Sequence, residues 1–591
     1  MTTRIEKLKA CNSKPDFARL LGIDPVFMTR VIYIRNTDNL YSQFAIKKKN
    51  GSDRVISAPD SELKEIQSKL SDLLQDCLNN LRENLKENNH FSHGFERNRS
   101  IITNAEKHKS KKWVLNIDLC NFFDEFNFGR VRGYFLKNNN FSLNTELSTL
   151  IAKIACHQDK LPQGSPCSPV ITNLILVSLD RRLSNLCNSV GCTYTRYADD
   201  ITISTNKKEF PKGIIKGQDE KSITLNNKFL KEITSSGFKI NHKKLRLLDK
   251  KIRQEVTGLT VNRFVNVDRK YAKTVRAMAH SLFNKGEYTL IDKKTRKERF
   301  GTINELGGML SFIDFVDKYN NRLPHAIKSS HNKRERLYSD FLYYSAFWAN
   351  TKPTILTEGK TDITYLRVAL DALSENHPNL IGNKKMGNKT VRDYRIKFFK
   401  NTSKTKYLLN LDGGAPHLKD FIIGFKKKTD AFKVIANQKP VIVILDNDSG
   451  SAGANGIFQT LIGKSFPNIT LTRDELRNQK WTWVTKNLYI IFTPLNGLKD
   501  SSMEDLFHSS VLRTTLGGKV FNRTNAKCKD NEYGKEFFAT GVVLKKRKTI
   551  DFSNFNCIFD SVSEIIEHNN SREKYSKLIL GWIHYIDNYN N

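Results

Sequence analysis

The decapeptide TRYADDITIS, Thr195 to Ser204, sets two adjacent carboxylates, Asp199 and Asp200, inside a run of residues that otherwise favour an extended, half-buried strand. The β-formers on both sides read as two strands, so the pair falls at or beside a hairpin turn. Aspartate is a common turn residue, and an isolated pair there is ordinarily a solvated turn. A second acidic strand changes that reading. In KKWVLNIDLCNFFDEF the apolar run Trp113 to Ile117 reads as a strand that delivers Asp118 at its end. Three carboxylates would then converge, and like charges that close raise one another's pKa and repel unless divalent cations sit between them. Two Mg²⁺ ions roughly 3.5 to 4 Å apart would activate an attacking hydroxyl and stabilise the leaving oxygen of an in-line phosphoryl transfer.

Charge points to the substrate of such chemistry. The 97 Lys and Arg outnumber the 61 Asp and Glu, a net charge of +36 that exceeds what solubility requires and attracts polyanions, nucleic acid first among them. At 591 residues the chain is long enough for two or more separately cored domains. Nine cysteines show no CxxC pair and no zinc-site spacing, which reads as reduced core thiols. The start lacks the apolar core of a signal peptide, and no apolar run approaches the ~18 residues that span a bilayer. A cytoplasmic protein with no membrane partner is expected.

The polar run Lys328 to Asp340 marks a boundary near 320–350. Upstream, Leu63, Ile66, Leu70, Leu73, Cys77, Leu81 and Leu85 recur at spacings of three and four, a buried helix face. Residues 269–283 form another helix, with Tyr271, Val275, Met278 and Leu282 on one side and Arg269, Lys273 and Arg276 on another, a face suited to RNA phosphates. Downstream the pattern changes to short β-rich runs, TILTEG, YLLNLDGG, VIVILDNDSG and LYIIFTP, separated by longer partly helical segments. That is an α/β arrangement, for which a parallel sheet is expected. Glu358 ends the first of these runs, and Asp446 and Asp448 end the third as a D-x-D pair whose side chains point the same way if extended. In an open α/β sheet chemistry gathers at the carboxyl ends of strands, where all three acids fall. Asp412, Glu504 and Asp505 could supply additional ligands, but a helix cap or solvated turn is the preferred reading for each.

YADD at 197–200, the aspartate of NIDLCNFFDEF and LPQGSPCSP at 161–169 resemble, in order, the palm motifs of reverse transcriptases. NAEKH at 104–108 and VTG at 256–258 resemble the two patterns that mark the retron branch. TILTEG and VIVILDNDSG resemble the glutamate and DxD motifs of a Toprim domain. The cysteine/histidine module of a bacterial primase and the further domains of a type I topoisomerase are not recognised, which leaves phosphodiester hydrolysis with Glu358 as base or ligand.

The resemblance implies a multidomain chain, α+β then α/β. A right-hand polymerase would occupy 1–320, with fingers and palm to about 255 and thumb at 256–320, then a linker at 321–350, a Toprim domain at 351–510 and an extension of unassigned role at 511–591. It implies catalysis and metal binding by Asp118, Asp199 and Asp200, with two Mg²⁺, and by Glu358 with Asp446 and Asp448, with one or two. Phe123 would exclude a ribose 2′-OH by clash, Arg54 would grip the incoming triphosphate, and Gln163 and Gly164 would face nucleotide and template. Lys244, beside the equally placed Lys243, would meet departing pyrophosphate. Asn104 and His108, on one helix face, would contact RNA alongside Arg269, Lys273 and Arg276. The implied function is copying a cognate noncoding RNA, with dNTPs, into branched RNA-linked DNA (msDNA), with a Toprim nuclease acting on RNA or DNA and held dormant until phage infection. The alternative is an intron-type reverse transcriptase with a non-catalytic nucleic-acid-binding Toprim module. Homo-oligomerisation is left open.

Overall fold

The computed structural model describes residues 2–47, 53–84, 91–218, 223–292, 295–320, 330–386, 389–434, 438–448, 456–463, 465–524 and 528–589. The chain divides into two units, one made of residues 1–272, 292–297 and 315–322, the other of residues 273–291, 298–314 and 323–591. Among the described residues no helix is long and apolar enough to cross a membrane.

In the first unit an antiparallel hairpin, β1 (Tyr41–Lys47) and β2 (Asp53–Pro59), leads into helix α1 (Ser61–Asn84). Leu63, Ile66, Leu70, Leu73, Cys77 and Leu81 are buried along one face of α1, as their spacing requires; Leu85 lies outside the described residues. Helix α2 (Ile101–Lys107) starts where Ser100 accepts the N–H groups of Ile102 and Thr103. The central sheet is antiparallel, in the order β4 (Thr193–Tyr197), β5 (Asp200–Thr205), β3 (Trp113–Asp118), β6 (Arg246–Asp249). Leu115, Ile117, Ile201 and Ile203 pack with helix α3 (Ser168–Ser189), through Ile171, Leu174 and Leu183, in one apolar core. Because β3 pairs with β5 in register from Trp113↔Thr205 to Asp118↔Asp200, the acid that ends one strand stands opposite the acid that begins the other. Helix α4 (Arg269–Lys285) begins at the end of this stretch, and its part from Lys273 on, which buries Val275, Ala279 and Leu282, belongs to the second unit.

In the second unit the segment expected to be a linker is structured from its described start. Helix α5 (Lys333–Tyr343) is capped by Asn332 and continues in a wide turn to Trp348, burying Tyr338, Phe341, Tyr343, Phe347 and Trp348; residues 321–329 lie outside the described part. The polar surface of the run hid an aromatic face at helical spacing. Phe283 packs on Tyr344 and Phe432, ring centroids 5.4 and 5.3 Å apart, which ties residues 273–291 to this unit.

Five strands follow the order β8 (Lys397–Phe398), β7 (Thr354–Thr357), β9 (Val441–Leu445), β11 (Leu488–Phe492), β10 (Thr482–Thr485). Pairs β7/β8, β7/β9 and β9/β11 are parallel, and β10 closes one edge antiparallel. Every residue of β9 and β11 is buried, the continuous apolar pattern of strands covered on both faces. Helix α6 (Lys360–Ala372) follows β7 and packs Tyr365, Leu366 and Ala369 into that core. The YLLNL run, expected as a strand, ends a helix spanning Ser403–Leu409; Thr402 caps its start and Asn410, at φ +57°, stops it. The run carries no β-branched residue, and leucine favours helix.

The tail expected as a separate extension shares the core of the sheet. Phe555, Ile558, Phe559 and Val562, at the start of helix α7 (Asn556–Tyr589) and just before it, lie with Tyr365, Ile442 and Tyr489 in one cluster. Phe555 is fully buried, 5.1 Å from the ring of Phe507. Replacing it with alanine should destabilise the second unit by about 3–5 kcal/mol in chemical denaturation. A change below about 1 kcal/mol would show that the tail is not part of this core.

Candidate active sites

The first site is built by the β4–β5 hairpin. Tyr197 pairs with Asp200, leaving Ala198 and Asp199 as the two turn residues, and Ala198 sits at φ +56°, the region that favours glycine. The carbonyl of Asp199 accepts the Leu119 N–H at 3.1 Å, which ties the turn to the end of β3. Asp118 is 7% exposed. Burial, then Asp118, raises the Asp199 carboxyl above its usual range. Asp200 keeps an edge open to solvent, yet the protein around it, followed by Asp199 and Asp118, pushes it up to about 7.

One cation relieves this crowding. Lys244 Nζ stands 2.6 Å from Asp118 Oδ1 and Asn241 Nδ2 donates to Oδ2 at 3.0 Å, while Asp118 in turn holds the ammonium above its ordinary pKa. Of the two adjacent lysines, Lys244 is the one that reaches the acid. Among the described residues no group of three or more His, Cys, Asp or Glu side chains is disposed to hold a metal ion, and Asp118 spends both oxygens on these partners. The donors are all carboxylate oxygens, the kind Mg²⁺ takes, so the set fits that ion once Lys244 withdraws.

Asp118 and Asp199 open onto a cleft of about 640 Å³ lined also by Arg54, Phe123, Gln163, Asn241 and Lys244; Asp200, paired with Asp118 across the strands, does not line it. Phe123 is half-buried and meets Phe122 and Phe95 edge-on, at 5.3 and 6.4 Å. Ser57 N–H donates to the Gln163 carbonyl at 2.8 Å, and a Cβ on Gly164, which lies at φ +130°, would fall 2.5 Å from the Ser57 oxygen. Glycine is therefore required for the approach of this loop to β2.

Two expected RNA contacts are corrected. Asn104 and His108 are 0% exposed, and His108 bonds to Ser204 Oγ and Thr195 Oγ1, each at 2.7 Å, so both sit inside the first unit, beneath the sheet. Asn104 lies within α2 and His108 is its C-cap, just past the helix, and both turn inward. Arg269, Lys273 and Arg276 are exposed on α4.

The second unit gathers acids at the ends of β7 and β9. Glu358 follows β7, Asp446 and Asp448 follow β9, and Asp446 accepts the Met503 N–H at 3.0 Å. Burial, then Asp362, Glu358 and Glu504, pushes Asp446 up to about 8; burial, then Asp448, raises Glu358. Two participants, Asp362 and Lys535, carry no reading from sequence, and a third, Glu504, reads there as a cap before a ligand. Asp362, in the first turn of α6, accepts the Gly359 N–H at 2.7 Å and is pushed up to about 6, chiefly by burial. Glu504, read as a cap, is 1% exposed, and Lys535 reaches its Oε2 at 3.1 Å. The four-residue step from Glu358 to Asp362 was a visible signal, whereas nothing near Lys535 in the sequence marks it. Glu358 Oε2 and Glu504 Oε1 are buried and make no hydrogen bond with the described residues, an acceptor surplus that suits a cation. Asp412 is ion-paired with Lys406, and Asp505 caps Ser502 and pairs with Arg523.

Residues 46–261 match the reverse transcriptase (RNA-dependent DNA polymerase) family. The retron Ec86 reverse transcriptase of Escherichia coli is 32% identical over 320 residues, covering 53% of this chain and 88% of that protein. The retron Mx162 reverse transcriptase of Myxococcus xanthus is 31% identical over 342 residues, covering 53% of this chain and 66% of that protein. Among solved structures, apo telomerase from Candida tropicalis aligns over 51% of this chain and 60% of its own, with 13% identity and a TM-score of 0.28.

Burial holds His108 neutral in the folded protein, moving its pKa from 6.5 down to about 3. The unfolded chain therefore binds a proton that the folded chain refuses, so the stability present above about pH 6.5 falls as the pH drops towards 3. His108→Gln should flatten that part of the acid-unfolding curve; an unchanged slope would show that His108 titrates alike in both states.

Proposed function

The chain belongs to the retron reverse transcriptase family, and from that premise we propose that it copies a structured noncoding RNA into DNA that starts at a 2′-OH of that RNA and stays joined to it as a branch. The observation that carries this reading is the convergence of Asp118 and Asp199 on one cleft, with Asp200 in register beside them.

Asp118, Asp199 and Asp200 would hold Mg²⁺, which when bound supplies the charge that activates the attacking hydroxyl and steadies the departing pyrophosphate. Arg54 offers a guanidinium fork to the triphosphate of the incoming dNTP. Phe123 presents a half-buried ring where a ribose 2′-OH would clash, a selection by exclusion. Lys244, which pairs with Asp118 in the free protein, would neutralise the leaving pyrophosphate or give it a proton. The exposed row Arg269, Lys273 and Arg276 would follow RNA phosphates, so binding should weaken as salt rises.

For the second unit we propose a Toprim-type nuclease over residues 351–510, completed by the segment after 511 and restrained by the msDNA until infection by phage alters it. Glu358, Asp446 and Asp448, with Asp362 and Glu504, would hold Mg²⁺, which when bound supplies an activated water for phosphodiester hydrolysis. The orphaned oxygens of Glu358 and Glu504 support this reading.

Asp199→Asn with Asp200→Asn should abolish DNA synthesis, and RNase digestion of the wild-type product should leave a short RNA stub on the DNA. Retained synthesis would remove the polymerase assignment, and DNA without a stub would indicate ordinary 3′-OH priming. Glu358→Ala should relieve toxicity on phage challenge while msDNA is still made; undiminished toxicity would sink the nuclease assignment.

A further inference from the structure

Behind the acidic hairpin lies a charged pair that no step above uses. Arg196, on β4, is 0% exposed, and its Nε and Nη2 donate to the two oxygens of Asp180 on α3, both at 2.8 Å. Tyr194 donates to the same carboxylate at 2.7 Å, and the pull of Asp180 outweighs the burial that would otherwise lower the pKa of the guanidinium. A buried ion pair is weak evidence of stabilisation, because apolar side chains of similar volume often serve as well or better. Its remaining bonds show what else it holds. Arg196 Nη1 donates to the carbonyl of Ala198 at 3.1 Å, and Nη2 also reaches Asn173 Oδ1 at 3.2 Å. Asn173 accepts from Ser92 Oγ at 3.0 Å and donates to the Gly94 carbonyl at 2.9 Å. Residues 91–94 lie against the same turn: Arg196 exchanges backbone bonds with Phe91 and His93, and a Cβ on Gly94 would come within 2.7 Å of the Ala198 nitrogen.

Ala198 precedes Asp199 and occupies a left-handed conformation that a non-glycine residue keeps only when its surroundings hold it. We propose that the Asp180–Arg196 pair is the positioning element of the Asp199 carboxylate: by fixing the Ala198 carbonyl it sets the turn, and so the direction in which Asp199 enters the cleft. Neither side chain touches substrate. The pair acts through the peptide between Ala198 and Asp199, and the proposal rests on the polymerase reading of the cleft.

The test is the double variant Asp180→Leu with Arg196→Met, which removes both charges together and leaves neither buried alone. With circular dichroism and melting temperature close to the parent, kcat for DNA synthesis should fall about tenfold or more while KM for dNTP moves less than about threefold, as expected for a misplaced catalytic group and not for lost substrate binding. Adding Ala198→Gly, which accepts the left-handed turn without strain, should restore part of the lost kcat. A folded double variant with kcat within about twofold of the parent would overturn the proposal, as would a loss that Ala198→Gly does not lift. Should the double variant fail to fold, Arg196→Lys, which keeps the charge but not the fork that spans Asp180 and Ala198, should show the same kcat loss and the same rescue, and unchanged kcat there would overturn it. A parent chain that makes no DNA would overturn the polymerase reading and the proposal with it; an active parent with an equally active variant overturns the proposal alone.

Discussion

Strand register is the constraint on which the first unit turns. Pairing β3 with β5 so that Asp118 faces Asp200 buries apolar residues on one side and, in the same act, forces carboxylates together at the strand ends. A slip of one residue would turn every side chain of β3 to the other face, so the register that secures the core also secures the acids. Their mutual repulsion is thus a consequence of folding, and the core provides the stability that offsets it. Phe122, Phe126 and Phe238, with ring centroids 5.3 to 5.8 Å apart, pack directly after Asp118 and belong to the same core.

The parts legible in the sequence are those whose signal is local. Asp118, Asp199, Glu358 and Asp446 each stand where a run of strand formers stops, and the structure puts each at the end of a strand or in the adjoining turn. The buried face of α1 follows from spacing alone. What stayed hidden depends on partners far along the chain. Asn241 and Lys535 look like ordinary polar residues until folding brings them to Asp118 and Glu504. The spacing of Asn104 and His108 suggests one helix face, but periodicity does not say where a helix stops or whether a polar face looks outward; His108 caps the end of α2, and Ser204 and Thr195 satisfy its imidazole from within. YLLNL was misread because a short apolar run fits strand and helix alike, and the deciding features, Thr402 and Asn410, lie at its margins.

Both units solve the same electrostatic problem with a lysine, yet in different ways. Lys244 belongs to a short turn next to β6 and keeps 59% of its side chain in solvent while it touches Asp118. Lys535 comes from the C-terminal segment, with 26% of its side chain exposed, and meets a glutamate that is almost wholly enclosed. An exposed ammonium that leaves its partner regains full hydration, so Lys244 can withdraw at small cost when another cation or a phosphate arrives. Lys535 has less water to return to, and its departure would strand Glu504 as an uncompensated buried charge. The first pair is therefore suited to a cycle in which charge must be exchanged at every turnover. The second holds an acid cluster together, and it makes the C-terminal segment, through Lys535 as well as through Phe555, a structural condition of that cluster.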